Sequence, residues 1–369
     1  MTGPRAAQHA AETNVHPALR TALCELFGVD LPIVQTGMGW VSTPELTAAT
    51  ANAGALGVLA SGTLDLAGTE VAIQRTKELT DKPFGVNVRG DSPDVVERGR
   101  LLVRYGVPVA SFALAPNERI VRELKDAGLV VVPSIGARRH AEKVAAWGVD
   151  AVIVQGSEGG GHTGSVPTSI LLPQVVDAVD IPVIAAGGFF DGRGLVAALA
   201  YGAAGIAMGT RFLLTSDSRV PETVKAEYLA RNVNDTVVTD VLDGVSQRVL
   251  RTALVEKLLT DGRVAKLSRS VRHAVAFQKM SGTPWRDILR EGLQMKRSHE
   301  LSWVQTIMAA NTPMMLRSSM VDGRVDLGTL ASGQVVGLID DLPSCAELLA
   351  RIVAEAGIAL DRLAAGSDA

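Results

Sequence analysis

Pro182-Val183-Ile184-Ala185-Ala186-Gly187-Gly188 is a short apolar run that stops on paired glycines. The amphipathic stretch Gly192–Tyr201 follows and closes on Gly202. A second apolar run, Gly205-Ile206-Ala207-Met208, then stops on Gly209-Thr210-Arg211. An apolar run, a helix-period segment and a closing glycine together make one βα unit. The same unit recurs outward from this point. Strands are expected at Ile33–Thr36, Leu56–Ala60, Phe84–Val88, Val107–Phe112, Val130–Ile135, Ala151–Gln155, Pro182–Ala186 and Gly205–Met208. Helical patterns between them include Pro44–Ala53, Pro93–Tyr105, Asn117–Ala127, Ala137–Trp147 and Ile170–Val179, and Gly54, Gly106, Gly128, Gly148 and Gly202 stand at helix-closing positions. Strand starts recur roughly every 21–31 residues, the length of one βα unit. Eight units in a row predict an α/β fold closed as a (β/α)8 TIM barrel. The rival, an open doubly wound sheet, usually has fewer strands and a switch point.

After Arg211 the rhythm breaks. Thr236–Leu242 and Val245–Leu250 flank Asp243-Gly244, a hairpin turn signal. Arg251 to Ala310 reads as mostly helical, and its Arg251–Glu300 portion carries eleven Lys or Arg against five Asp or Glu. The expected organisation is a disordered N-terminus over 1–20 and a barrel over 21–230. A mostly helical insertion or lid over 231–312 and a C-terminal segment over 313–369 returning to the barrel complete it. Pro343–Ile358 is the final amphipathic helix.

Composition narrows the function classes. Apolar residues make up 47% of the 369, enough for a sizeable core, while aromatics are only 4%. A net charge of −3 argues against a general nucleic-acid or membrane-surface binder. Cys24 and Cys345 lie far apart and outside any CxxC or metal-ligand spacing, so neither zinc nor a disulfide is expected and no metal site is assigned. The polar, Ala-rich start has no apolar leader segment, and no run reaches the ~18 apolar residues of a membrane span. A cytoplasmic protein is expected.

In a barrel, chemistry gathers at the C-terminal strand ends, and phosphate commonly sits after the seventh and eighth strands. Gly187, Gly188, Gly209 and Thr210 occupy those two ends, where glycine lets backbone N–H groups approach a phosphate. The bland alternative is that they only make tight turns. The sixth strand ends in Gln155-Gly156-Ser157-Glu158-Gly159-Gly160-Gly161-His162-Thr163-Gly164, with room for a flat ligand against backbone. His162 is the imidazole of that loop, suited to proton transfer near neutral pH. His9, His16, His140, His273 and His299 take the ordinary reading of a lone histidine, a core or surface residue. Asn87 and Gln155 close apolar strands with amides, which donate and accept at once and match the edge of an isoalloxazine ring. The absence of GxxxxGK[ST], of GxGxxG after the first strand, and of HExxH or GxSxG disfavours nucleotidase, Rossmann and hydrolase chemistries.

Pro32-Ile33-Val34-Gln35-Thr36-Gly37-Met38-Gly39, Phe84-Gly85-Val86-Asn87, Gln155 through His162, Ala185-Ala186-Gly187-Gly188 and Met208-Gly209-Thr210-Arg211-Phe212 occur in that order. Together they resemble the nitronate monooxygenase (2-nitropropane dioxygenase-like) flavoprotein family, over about Leu23 to Ile352. Gln35 to Trp40, Glu158 to Gly164, Ala309 to Met314 and Leu330 to Ser344 look closest to its actinobacterial steroid-catabolism branch. The resemblance implies FMN as cofactor, with Gly37, Met38, Asn87 and Gln155 near the flavin ring or ribityl chain. It implies Gly160 and Gly161 packed along the flavin, and Gly187, Gly188, Gly209 and Thr210 on the phosphate. His162 matches the catalytic histidine, and Gly333 and Gln334 match a late segment approaching the flavin.

The function expected on this basis is an FMN-dependent oxidoreductase linked to NAD(H) or NADP(H). Its substrate is expected to be a bulky acyl-CoA of steroid ring degradation, a small-molecule partner; no nucleic-acid or membrane partner is expected, and a homodimer is the candidate assembly. The basic Arg251–Glu300 stretch is read either as a CoA phosphate contact or as a solvated helix face. The alternative is a nitronate monooxygenase consuming O2. A flavin-binding protein without turnover is a third reading, disfavoured by an acid–base group in the strand-6 loop.

Overall fold

The structure, a computed structural model, describes residues 15–260 and 314–366. Eight parallel strands close into a barrel. They are β1 (Ile33–Gln35), β2 (Leu56–Ala60), β3 (Phe84–Arg89), β4 (Val109–Ala113), β5 (Val130–Ile135), β6 (Val152–Gln155), β8 (Val183–Ala186) and β9 (Gly205–Met208). Pairing of β1 with β9 at Val34 and Ala207 seals the cylinder. The intervening strand β7 (Gly161–His162) lies outside the barrel.

Between the barrel strands run α2 (Pro44–Asn52), α3 (Leu66–Leu79), α4 (Val95–Tyr105), α5 (Glu118–Asp126), α6 (Arg138–Ala146), α7 (Thr168–Val176) and α8 (Gly192–Ala200). The five closing glycines read in the sequence all adopt positive φ, which ends each helix in the left-handed conformation. Helix α7 starts two residues before the expected Ile170, and β4 starts two residues after Val107.

Alternation along the strands builds two cores. Val34, Val58, Val109, Val132, Ile153, Ile184 and Ala207 form a cluster inside the cylinder. Their neighbours Ile33, Val86, Val131, Val152, Ala185 and Ile206 belong to the layer shared with the helices. Burial on both faces explains why the strands read as unbroken apolar runs. Helix α1 (Ala22–Phe27) seats Leu23 and Phe27 against the inner cluster, beside the first residue of β9. The disorder expected over 1–20 does not extend through Pro17–Leu19, a 3-10 turn whose Leu19 is fully buried and anchors it; residues 1–14 lie outside the described residues.

Beyond β9 come α9 (Thr210–Leu213) and α10 (Glu222–Leu229), then the antiparallel strands β10 (Thr236–Thr239) and β11 (Gln247–Leu250). The expected two-residue turn at Asp243-Gly244 is instead a longer loop: the ladder ends at Thr239 and Gln247, and residues 240–246 connect them. β11 also pairs with β7, giving a three-stranded sheet β10-β11-β7 over the strand-6 loop. Helix α11 (Ala253–Thr260) follows, and most of the expected helical insertion, with most of its basic stretch, lies outside the described residues.

The C-terminal helix, Cys345–Ala364, opens on a full capping box at Ser344 and Glu347 and packs along α8. The contact is close enough that Glu355 accepts a hydrogen bond from Gly192 N at 2.9 Å. A Cβ on Gly192 would lie 2.3 Å from Ala356 N and 2.5 Å from Ile352 O, both backbone atoms that cannot rotate away. Gly192→Ala is therefore expected to cost about 1–3 kcal/mol. Its urea midpoint should fall while the slope stays constant, and an unchanged midpoint would mean that the two helices separate freely.

Candidate functional site

The strand-6 loop is the centre of the C-terminal mouth. Five of the nine residues Gly156–Gly164 are glycine, so its shape must come from outside contacts. Gln155, at the end of β6, donates its amide N–H groups to His162 O at 2.8 Å and Gly160 O at 3.4 Å. Glu158 turns its carboxylate to the start of α7, accepting from Thr168 N at 2.9 Å and Thr168 Oγ1 at 2.9 Å. Arg248 of β11 places two guanidinium N–H groups on Ser157 O, at 3.0 and 2.9 Å. Burial pulls that guanidinium below its ordinary range, against the opposing charge of Glu158.

The expected cofactor residues lie at the neighbouring strand ends, linked to one another and in part to this loop. A Cβ on Gly37 would sit 2.3 Å from Asn87 Cβ, so the loop after β1 lies flat on the end of β3. Asn87 is buried within β3, which continues to Arg89, and its amide donates to Ser111 Oγ at 3.1 Å. The loop holding Met38 is organised from below by buried Gln35, whose amide donates to Ser42 Oγ at 2.8 Å; Met38 N donates to the same hydroxyl at 2.8 Å. Gly209 faces Met38 Sδ, 3.3 Å from its would-be Cβ. Gly333 N donates to Thr210 Oγ1 at 3.0 Å, and Gln334 N donates to Glu158 O at 3.0 Å. A Cβ on Gly160 would meet Gly333 N at 2.6 Å. The 332–338 segment thus closes over the loop, and Gly187 and Gly188, both at positive φ, face Gly159 and Glu158.

The cradle suits a planar group ending in a phosphate. Thr210 Oγ1 is already an acceptor for Gly333 N, which leaves its O–H to donate outward. Among the described residues the backbone N–H groups of Gly188, Gly209 and Thr210 donate to no protein acceptor. Side chains at Gly37 or Gly160 would collide with Asn87 and with the Gly333 main chain, so glycine there lets these segments close together around the mouth. No group of three or more His, Cys, Asp or Glu side chains able to hold a metal occurs among the described residues, nor does any helix long and apolar enough to cross a membrane.

His162 stands on β7, its side chain about half exposed. Its Nε2 lies 2.8 Å from Asp243 Oδ2, and Nδ1 has no protein partner among the described residues. Burial alone would raise the Asp243 carboxyl. The hydrogen bond and charge of His162, with support from Val245 N–H, outweigh it and hold the carboxyl below the ordinary range.

Sequence reasoning brought the glycines, amides and His162 to one mouth but missed Ser42, Glu158, Thr168, Asp243 and Arg248. Glu158 and Thr168 were legible as a carboxylate ten residues before a helix start. Asp243 and Arg248 act across more than eighty residues, and no local pattern marks that partnership.

The model of the family described as nitronate monooxygenase matches residues 20–355. A Rhodococcus jostii protein named (3aS,4S,5R,7aS)-5-hydroxy-7a-methyl-1-oxo-octahydro-1H-indene-4-carboxyl-CoA dehydrogenase is 59% identical over 94% of this chain and 98% of its own length. A Mycobacterium tuberculosis protein of the same name is 59% identical over 92% of this chain and 96% of its own. Among solved structures, FabK from Thermotoga maritima superposes with a TM-score of 0.77 at 32% identity, covering 94% of this chain and 99% of that one. The chain belongs to the nitronate monooxygenase family of flavin-dependent oxidoreductases.

Proposed function

We propose that the chain is an FMN-dependent dehydrogenase or reductase acting beside the thioester of a bulky acyl-CoA, with electrons passing to or from NAD(H) or NADP(H). The observation that carries this reading is the half-exposed His162 imidazole, set on the same loop that packs the glycine cradle. The names of the Rhodococcus and Mycobacterium relatives, carboxyl-CoA dehydrogenases, support the substrate class. Gly187, Gly188, Gly209 and Thr210 would hold the FMN phosphate, Gly160 and Gly161 would flank the ring system, and Gly37, Met38, Asn87 and Gln334 would line the rest of its bed. Gln155 commits its N–H groups to the loop carbonyls, which holds His162 in place, and its Oε1 would be the atom left to accept from the flavin ring.

A thioester acidifies the α C–H of its acyl group, and desaturation between Cα and Cβ removes a proton and a hydride. Flavin, when bound, supplies the hydride acceptor or donor. His162 takes the proton from Cα at its open Nδ1, or returns it in the reverse direction. Half exposure lets that proton reach solvent between turnovers. A second reading, O2-dependent oxidation of alkyl nitronates with His162 orienting the nitronate, is favoured by the description of the matching family model.

Anaerobic bleaching of the flavin absorbance separates the two readings. A steroid-derived acyl-CoA or NAD(P)H is expected to bleach the holoprotein; bleaching by an alkyl nitronate alone would establish the second reading. His162→Ala is expected to keep FMN and lose turnover by about 10²–10⁴-fold, the usual weight of a general acid or base. Wild-type turnover in that variant would remove the histidine from the mechanism. Thr210→Val should weaken FMN binding about tenfold, the worth of one charge-assisted hydrogen bond, while Thr210→Ser keeps it. Equal FMN affinity in all three proteins would place the phosphate elsewhere.

A further inference from the structure

We propose that Asp243 is the positioning residue for His162, holding its proton on Nε2 so that Nδ1 is the nitrogen presented to substrate. The inference rests on the acid–base role given to His162 above and extends it to a residue that the sequence marks only as part of a turn. The geometry is specific. Asp243 Oδ2 lies 2.8 Å from His162 Nε2, with the carboxylate side chain mostly shielded and the imidazole half open. A carboxylate can only accept, so the shared hydrogen belongs to the ring, and the lone pair is left on Nδ1.

The same hairpin also grips the backbone of the histidine. His162 pairs with Gln247 of β11, and Thr163 N donates to Ser246 O at 3.1 Å. From the barrel side, Gln155 holds His162 O. The main chain is thus fixed by two strands, and Asp243 fixes the remaining freedom, rotation and tautomer of the ring. Asp243 is itself held: its other oxygen, Oδ1, accepts from Val245 N at 3.1 Å. Arg89, at the end of β3, feels the Asp243 charge while its guanidinium is bound to both oxygens of Asp91, at 3.0 and 2.7 Å. Arg89 therefore balances the carboxylate without displacing His162 from it.

The test reads the tautomer directly. In ¹⁵N-labelled, FMN-loaded protein at about pH 8.5, well above the ordinary histidine range, long-range ¹H–¹⁵N correlations report which ring nitrogen carries the proton. The His162 signals are identified by their loss in His162→Gln. The wild type is expected to show the Nε2–H form. Asp243→Asn, whose amide can donate to Nε2 as readily as accept from it, is expected to lose that preference and to lower kcat at least about tenfold. KM, the FMN spectrum and the unfolding midpoint should stay within the wild-type range, and Asp243→Glu should restore the Nε2–H form in part. A wild-type Nδ1–H form, or an Asp243→Asn variant with the wild-type tautomer, would overturn the proposal. The tautomer is read in the resting holoprotein, so failure of every acyl-CoA to reduce the flavin would count against the substrate reading and leave this result standing.

Discussion

The site depends on holding still a loop that has almost no conformational preference of its own. Glycine loses more freedom on folding than any other residue, and Gly156–Gly164 concentrates five of them at the mouth of the barrel. Bulkier residues would stiffen the loop but at Gly160 would collide with the main chain of Ser332 and Gly333 that packs against it. The order is therefore supplied from outside: Gln155 from below, Glu158 through Thr168, Arg248 from the small sheet, and the main chain of Gly333 and Gln334 from above. Each is a polar group that burial would penalise if it were left unpaired, so the loop and its supports stabilise one another.

This arrangement explains why the chain continues past its eighth barrel strand. The barrel alone provides the strand ends but no wall against the strand-6 loop. Strand β11 supplies that wall by pairing with β7, and the bridge between Val249 and Ala331 joins the 330s segment to the same sheet. Buried Arg211 then ties α9 to Asp341, at 2.9 Å to both a side-chain and a main-chain oxygen, so the returning segment is anchored beside Thr210. The C-terminal helix on α8 completes the attachment.

The sequence carries the barrel clearly because its signals are local: apolar strands buried on both faces, and helices that end on left-handed glycines. The cradle is legible for the same reason, since Gly187-Gly188 and Gly209-Thr210 adjoin strands already placed. What escapes is every contact that joins distant segments. Asp243-Gly244 has the composition of a tight turn, yet the strands stop short and Asp243 turns to His162, eighty-one residues away. The N–H groups of Gln155 bind carbonyls of a loop whose path no local pattern specifies, so its part in holding that loop is not readable from the strand end alone. Pro17–Leu19 sits in a polar, Ala-rich stretch, and only the fold reveals that Leu19 reaches the core.

The docking of Gly333 on Thr210 also joins parts of the chain that are made far apart in time. A barrel can close once β9 has emerged and paired with β1, because all eight strands precede residue 209. The pocket becomes whole only after more than a hundred further residues have been made and the main chain has returned to the mouth. The mouth of the barrel is therefore completed by a segment that lies far beyond the strands it closes over, and the C-terminal helix that adds to the barrel's own outer core follows it.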